Sequence, residues 1–148
     1  IRKGRQKMAK TDVKPRPVPK ANKYVATDSF WQGTKDGALL LQYCPDTEQF
    51  QHYPRPVSIY TGKRNLEWRK VAGTGTIYAA TIVRVPGPGM DGRLPLAVVT
   101  VELDEGVRIM GNIMNVEPDA VAIGQRVALA WDAINDDIAY PAFNLVEA

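Results

Sequence analysis

Soft, titratable chemistry is scarce in this sequence, whose 148 residues hold one cysteine, Cys44, and one histidine, His52. A lone cysteine excludes an internal disulfide and fits a reducing compartment, so the chain is expected to be cytoplasmic. No apolar run approaches the roughly 20 residues that span a bilayer, and no membrane partner is expected. Carboxylates cluster in turns, and no pair shares one strand face, which leaves general acid–base chemistry without a couple. Long helical periods are missing as well, because eleven prolines and twelve glycines divide the chain into short elements.

What is present supports one domain, or one compact domain with a small appendage: the hydrophobic fraction is 45%, enough for a core. The net charge of +3 is unevenly placed. Residues 1–23 hold nine Lys/Arg against one acid, a net +8, whereas the remainder holds ten bases against fifteen acids, a net −5. Met8-Ala9-Lys10 reads as an ordinary start and residues 1–7 as an expression remnant. Without Arg2, Lys3, Arg5 and Lys7 the balance is fifteen bases to sixteen acids, a net −1. A nucleic-acid partner, the usual inference from basic character, is therefore disfavoured. Residues 1–23 interleave Lys/Arg with Pro15, Pro17 and Pro19 and read as a flexible extended arm.

Beyond the arm, Asp28 or Ser29 is placed to cap a short helix through Phe30 and Trp31 that ends at Gly33. The two aromatics are expected to lid the local core. Residues 39–43 and 49–53 form two extended arms joined by a Pro-Asp turn, and Tyr53-Pro54-Arg55-Pro56 is a stiff exit. Strands follow at 66–71, 74–85, 96–103, 107–113, 126–131 and 138–143. Residues 86–92 make a loop, Asp104-Glu105-Gly106 a tight hairpin, and Asn135-Asp136-Asp137 a polar turn. A helical turn at 118–123 closes on Gly124. From Thr74 onward, five strands with a short helical linker between the third and fourth follow the order of an OB-fold barrel. Periodicity alone leaves another small barrel or a sandwich open; strand count and linker position favour the OB-fold.

Two local motifs invite chemistry. Cys44, His52 and Asp46 can be written as nucleophile, base and orienter, yet no oxyanion-hole loop lies nearby. Gly73-Thr74-Gly75 suggests a phosphate loop but lacks the third glycine and the Lys-Ser/Thr, so it is expected to bend a barrel strand.

Taken in order, Phe30-Trp31-Gln32-Gly33, Gly37-Ala38-Leu39-Leu40-Leu41-Gln42-Tyr43-Cys44, Tyr53-Pro54-Arg55, Glu67-Trp68, Ala72-Gly73-Thr74-Gly75-Thr76-Ile77-Tyr78, Val101-Glu102-Leu103-Asp104-Glu105-Gly106-Val107-Arg108 and Ile123-Gly124-Gln125-Arg126-Val127 carry a family resemblance. The chain resembles the zinc-ribbon plus OB-fold proteins catalogued as domain of unknown function thirty-five, small partners of thiolase-like enzymes. That resemblance implies a mainly β protein: a short N-terminal helix and a rubredoxin-like ribbon over residues 24–65, then a five-stranded OB-fold over 66–148. Family members place two Cys-x-x-Cys knuckles where this chain reads Cys44-x-x-Thr47 and Ser58-x-x-Thr61. Three neutral hydroxyls cannot replace thiolates as zinc ligands, so the ribbon is expected to be degenerate and to hold no structural zinc. Packing of Tyr43, Phe50, Tyr53, Val57, Ile59 and Tyr60 is expected to hold it instead.

The function implied is that of a non-catalytic accessory subunit. It would dock on a thiolase-like or lipid-transfer-protein-like catalytic subunit in a hetero-oligomer and help form an acyl-CoA site for thiolysis, condensation or retro-aldol cleavage. The coenzyme A thioester is then a shared substrate rather than a bound cofactor. Candidate partner- or CoA-binding residues are Phe30, Trp31, Tyr53, Arg55, Trp68, Arg69, Lys70, Tyr78 and Arg108. Basic residues Arg55, Lys63, Arg64, Arg69 and Lys70, interleaved with aromatics, suit phosphates or an acidic partner face; plain solvated charge is the competing reading. The alternatives are an oligonucleotide-binding OB module with the basic arm as tether, and an acyl-CoA hydrolase using Cys44 and His52.

Overall fold

The computed structural model describes residues 26–90, 92–133 and 139–146. The basic arm read over residues 1–23 and the turn at Asn135-Asp136-Asp137 lie outside them.

The first element is α1, Asp28–Lys35. It runs past Gly33, which the sequence suggested as its stop. It ends at Lys35, and the chain turns away two residues on at Gly37, whose φ of 66° is the left-handed value that glycine adopts readily. Ala38 N–H donates to Gly33 O at 2.8 Å and Gly37 N–H to Thr34 O at 3.2 Å, the paired bonds of a Schellman stop.

Three strands make the ribbon sheet: β1, Leu39–Cys44; β2, Gln49–Gln51; and β3, Glu67–Val71. Their order is β2-β1-β3, so β3 returns to pair antiparallel with β1, setting Leu39 against Val71 and Tyr43 against Glu67. The second sheet contains β4, Thr74–Val83; β5, Leu96–Leu103; β6, Arg108–Asn112; β7, Arg126–Ala133; and β8, Ala139–Leu145. A 3-10 turn, Pro118–Ala120, links β6 to β7. The order β6-β5-β4-β7-β8 is antiparallel throughout, and an isolated bridge between Ile113 and Phe143 brings the two edges together. That nearly closed five-stranded barrel is the expected OB-fold.

β-branched residues at alternate positions explain why these strands form and which face they bury. On β5, Val99 and Val101 are fully buried, and Ile77, Val127 and Phe143 meet them. Phe30, Leu39, Leu41 and Val71 belong to the same cluster, so ribbon and barrel share one core.

Long-range polar contacts lock the ends. Asp104, in the β5–β6 turn, takes both guanidinium nitrogens of Arg126 at 2.7 Å and the Thr74 hydroxyl at 2.6 Å. Arg126, then Thr74, hold the Asp104 carboxyl well below the usual carboxylate range. Arg93, in the β4–β5 loop, pairs with Asp132 on β7, and both side chains are buried. Among the described residues, no helix is long and apolar enough to cross a membrane.

Gly75 explains why Gly73-Thr74-Gly75 is structural: a Cβ on Gly75 would lie 2.4 Å from Glu102 O and 2.7 Å from a Val101 methyl. Gly75→Ala is expected to lower unfolding stability by about 1–3 kcal/mol through overpacking. Gly87→Ala, with open space and an ordinary backbone, should stay within about 0.5 kcal/mol of the parent in the same urea titration.

Candidate functional site

The ribbon tip is built from two turns. Residues 44–47 form the first, closed by Thr47 N–H to Cys44 O at 3.3 Å, and residues 58–63 the second, closed by Gly62 N–H to Ser58 O and Ser58 N–H to Lys63 O. They stand where the two knuckles of a zinc ribbon would. The Ser58 hydroxyl donates to Cys44 Sγ at 3.1 Å and holds the thiol below its ordinary value against the opposing effect of burial. Thr47 Oγ1 is buried without a hydrogen-bond partner, and Thr61 Oγ1 accepts from Lys63 N–H at 3.3 Å. One thiol and three neutral hydroxyls do not fit tetrahedral zinc, which takes thiolate, imidazole or carboxylate ligands. Among the described residues, no group of three or more His, Cys, Asp or Glu side chains is placed to hold a metal.

The turns are joined by polar contacts that the sequence did not suggest. Asn65 donates to Asp46 Oδ1 at 2.8 Å, with Lys63 Nζ 3.8 Å from the other carboxylate oxygen. Gln42 and Gln51, directly opposed on β1 and β2, are almost wholly buried. Gln42 Oε1 accepts from Gln51 Nε2 and Arg55 N–H, both at 2.8 Å, while its Nε2 donates to Arg55 O at 2.9 Å. Gln51 Oε1 accepts from Ile59 N–H at 2.9 Å, and its Nε2 also reaches Val57 O at 3.2 Å. This corrects the expectation of an aromatic ribbon core. Tyr53, Ile59 and Tyr60 are exposed, at 57%, 56% and 40%, and only the Tyr43–Phe50 edge contact at 5.0 Å behaves as expected. The usable signal was two glutamines at inward strand positions facing each other across a hairpin.

The triad reading fails on geometry. Cys44 is engaged by Ser58 and Asp46 by Asn65, whereas His52 packs against Phe30, with ring centroids 5.8 Å apart, and Tyr53, at 4.2 Å. Burial pushes the His52 imidazole down to about 4, so it is neutral near pH 7.

The binding candidates fall into three settings. Phe30 is buried in the common core and Trp31 half-buried against it, touching Phe30 at 5.2 Å and Tyr140 at 6.0 Å. Trp68 also packs against that core. Arg69 stacks 3.5 Å over the Tyr43 ring and pairs with Glu67 at 2.8 Å. Arg108 does the same on the barrel, 3.5 Å over Tyr78 and paired with Glu102 at 3.0 Å. Arg55 and Lys70 are exposed and make no ion pair among the described residues. Tyr53 and Arg55 lie on the segment between β2 and the second turn, and Ile59 and Tyr60, also exposed, lie in that turn.

A rubredoxin-like ribbon carrying one thiol, set on an OB barrel through one core, defines a ribbon-plus-barrel protein of two modules by architecture. Residues 31–57 match the family profile described as "ChsH2, rubredoxin-like zinc ribbon domain", and residues 68–132 match "ChsH2, C-terminal OB-fold domain". The chain belongs to the DUF35 zinc-ribbon/OB-fold family. It is 30% identical over 142 residues to a "probable enoyl-CoA hydratase alpha subunit" of Thermomonospora curvata, covering 93% of this chain and 43% of that one. With a "DUF35 domain-containing scaffold protein" of Methanocaldococcus jannaschii it shares 32% identity over 75 residues, 51% of this chain and 53% of that protein. The chain therefore spans about half the length, or less, of these curated relatives. A chain of the solved "Ltp2-ChsH2(DUF35) aldolase" superposes with a TM-score of 0.77 and 26% identity, over 86% of this chain and 98% of that one.

The depressed imidazole yields a pH prediction. The unfolded chain takes up a proton near pH 6.5 while the folded chain resists until about 4, so His52 supports full stability above 6.5 and loses it as pH falls to 4. The stability difference between the parent and His52→Phe should shrink by about 3 kcal/mol between pH 7 and pH 4. A flat difference in paired denaturation curves would mean that the imidazole titrates normally.

Proposed function

We propose that this chain is a non-catalytic accessory subunit that docks on a thiolase-like or lipid-transfer-protein-like enzyme and helps form its acyl-CoA site. The carrying observation is the segment that follows β2: Tyr53, Ile59 and Tyr60 on it are exposed, and so is Arg55, which makes no ion pair among the described residues. Exposed tyrosines and an arginine without an ion pair among the described residues, on one short segment, are the composition of an interface anchor rather than of a solvated surface. The likeness to the DUF35 chain of an aldolase assembly supports a hetero-oligomer with a catalytic partner. The relatives whose names carry hydratase alpha subunits support chemistry on acyl-CoA thioesters. In this reading the partner supplies the reacting groups, and the coenzyme A thioester is substrate, with Arg55 and Lys70 as the cations left to meet its phosphates. Thiolysis, condensation and retro-aldol cleavage all fall within that role.

The rivals find less support. Arg69 and Arg108, which an oligonucleotide module would need, are each already neutralised by a neighbouring glutamate. A hydrolase built on Cys44 and His52 lacks the contact between them.

Co-expression with a thiolase-like enzyme from the same genome should yield one stable complex and an acyl-CoA activity that the large subunit lacks alone. Tyr53→Ser with Arg55→Glu should weaken the complex at least about tenfold, or about 1.4 kcal/mol, in a titration, while the free chain keeps its melting temperature. Separate elution together with full activity of the isolated large subunit would defeat the proposal.

A further inference from the structure

We infer that the ribbon of this chain closes without zinc because the opposed side-chain amides of Gln42 and Gln51 do the cross-linking that a metal would do. The segment that carries the second knuckle, residues 52–66 between β2 and β3, belongs to no strand and has no ladder to hold it to the first hairpin. Thiolates on a metal supply the missing cross-link in such modules, and with it much of their folding energy. Here the returning segment bonds to side chains instead. Arg55 N–H and O, Val57 O and Ile59 N–H, on alternate residues, all meet the two glutamine amides at 2.8–3.2 Å. Alternate residues are also how a strand addresses its neighbour, so the two amides stand in for a short piece of β-edge.

Each amide uses its oxygen and its nitrogen, and the Gln51 to Gln42 bond at 2.8 Å orients both groups. Both side chains are buried, at 1% and 3% exposure, where an unmatched amide would be costly. The donor set at the knuckles points the same way, because the one thiol already takes its hydrogen bond from Ser58. How the ribbon holds its shape is independent of what the chain docks on.

Hydrogen exchange on the full chain tests it directly. The amides of Arg55 and Ile59, whose acceptors are glutamine oxygens, should exchange at least about tenfold more slowly than free-peptide rates, with or without a chelator. Free-peptide rates, or protection lost on chelation, would overturn the inference. Protein grown with added zinc should carry well under one zinc per chain; one zinc per chain, with a melting temperature that falls when it is removed, would also overturn it. Gln42→Leu and Gln51→Leu should each lower the melting temperature by about 5 °C or more. Parental melting temperatures in both variants would sink the clamp, and the exchange measurement on the unmutated chain decides the matter should either variant not fold.

Discussion

A buried amide must find partners for both its oxygen and its nitrogen, and in the ribbon that requirement sets the path of the chain. Gln42 and Gln51 are held opposite one another by the β1–β2 register, so their free atoms point at whatever passes next, which is residues 55–59. Pinning those backbone groups fixes the course of a segment on which Tyr53, Ile59 and Tyr60 are exposed. The barrel obeys a different rule, apolar alternation around Val99, Val101 and Phe143, and the two regimes meet at Leu39, Leu41 and Val71.

Charge is managed by local pairing. Two arginines on different sheets adopt the same arrangement, a guanidinium laid flat on a tyrosine ring with a glutamate at its edge. Stacking and pairing together restrain a long side chain that would otherwise sample many rotamers. A ligand seeking Arg69 or Arg108 must compete with those neighbours, whereas Arg55 and Lys70 are unencumbered by ion pairs among the described residues.

Legibility followed the range of the interactions. β5 was readable to the residue because Leu96–Leu103 is a β-branched run bounded by turn signals. β4 was read two residues too long: Arg84 and Val85 continue the strand composition but leave the ladder. The helix stop was misplaced because two glycines, Gly33 and Gly37, lie four apart; only the second needs a positive φ, while a Cβ on the first would meet Ala38 O at 2.7 Å. The pairs Arg93–Asp132 and Asp104–Arg126 connect residues 39 and 22 apart, beyond any local pattern. In the tip, cysteine spacing drew attention to Cys44, Thr47, Ser58 and Thr61, and the glutamines that order the same segment match no metal motif.

Thiolate metal sites have a weakness that amides do not share. Oxidants attack the sulfurs, and a shortage of the metal leaves the module open, so such domains respond to the redox state and mineral supply of their surroundings. The ribbon here offers an oxidant one shielded sulfur, and its inferred closure draws on nothing the cell must import. A ribbon closed in this way would keep its shape through metal shortage and oxidative stress, conditions under which a thiolate-closed ribbon would open.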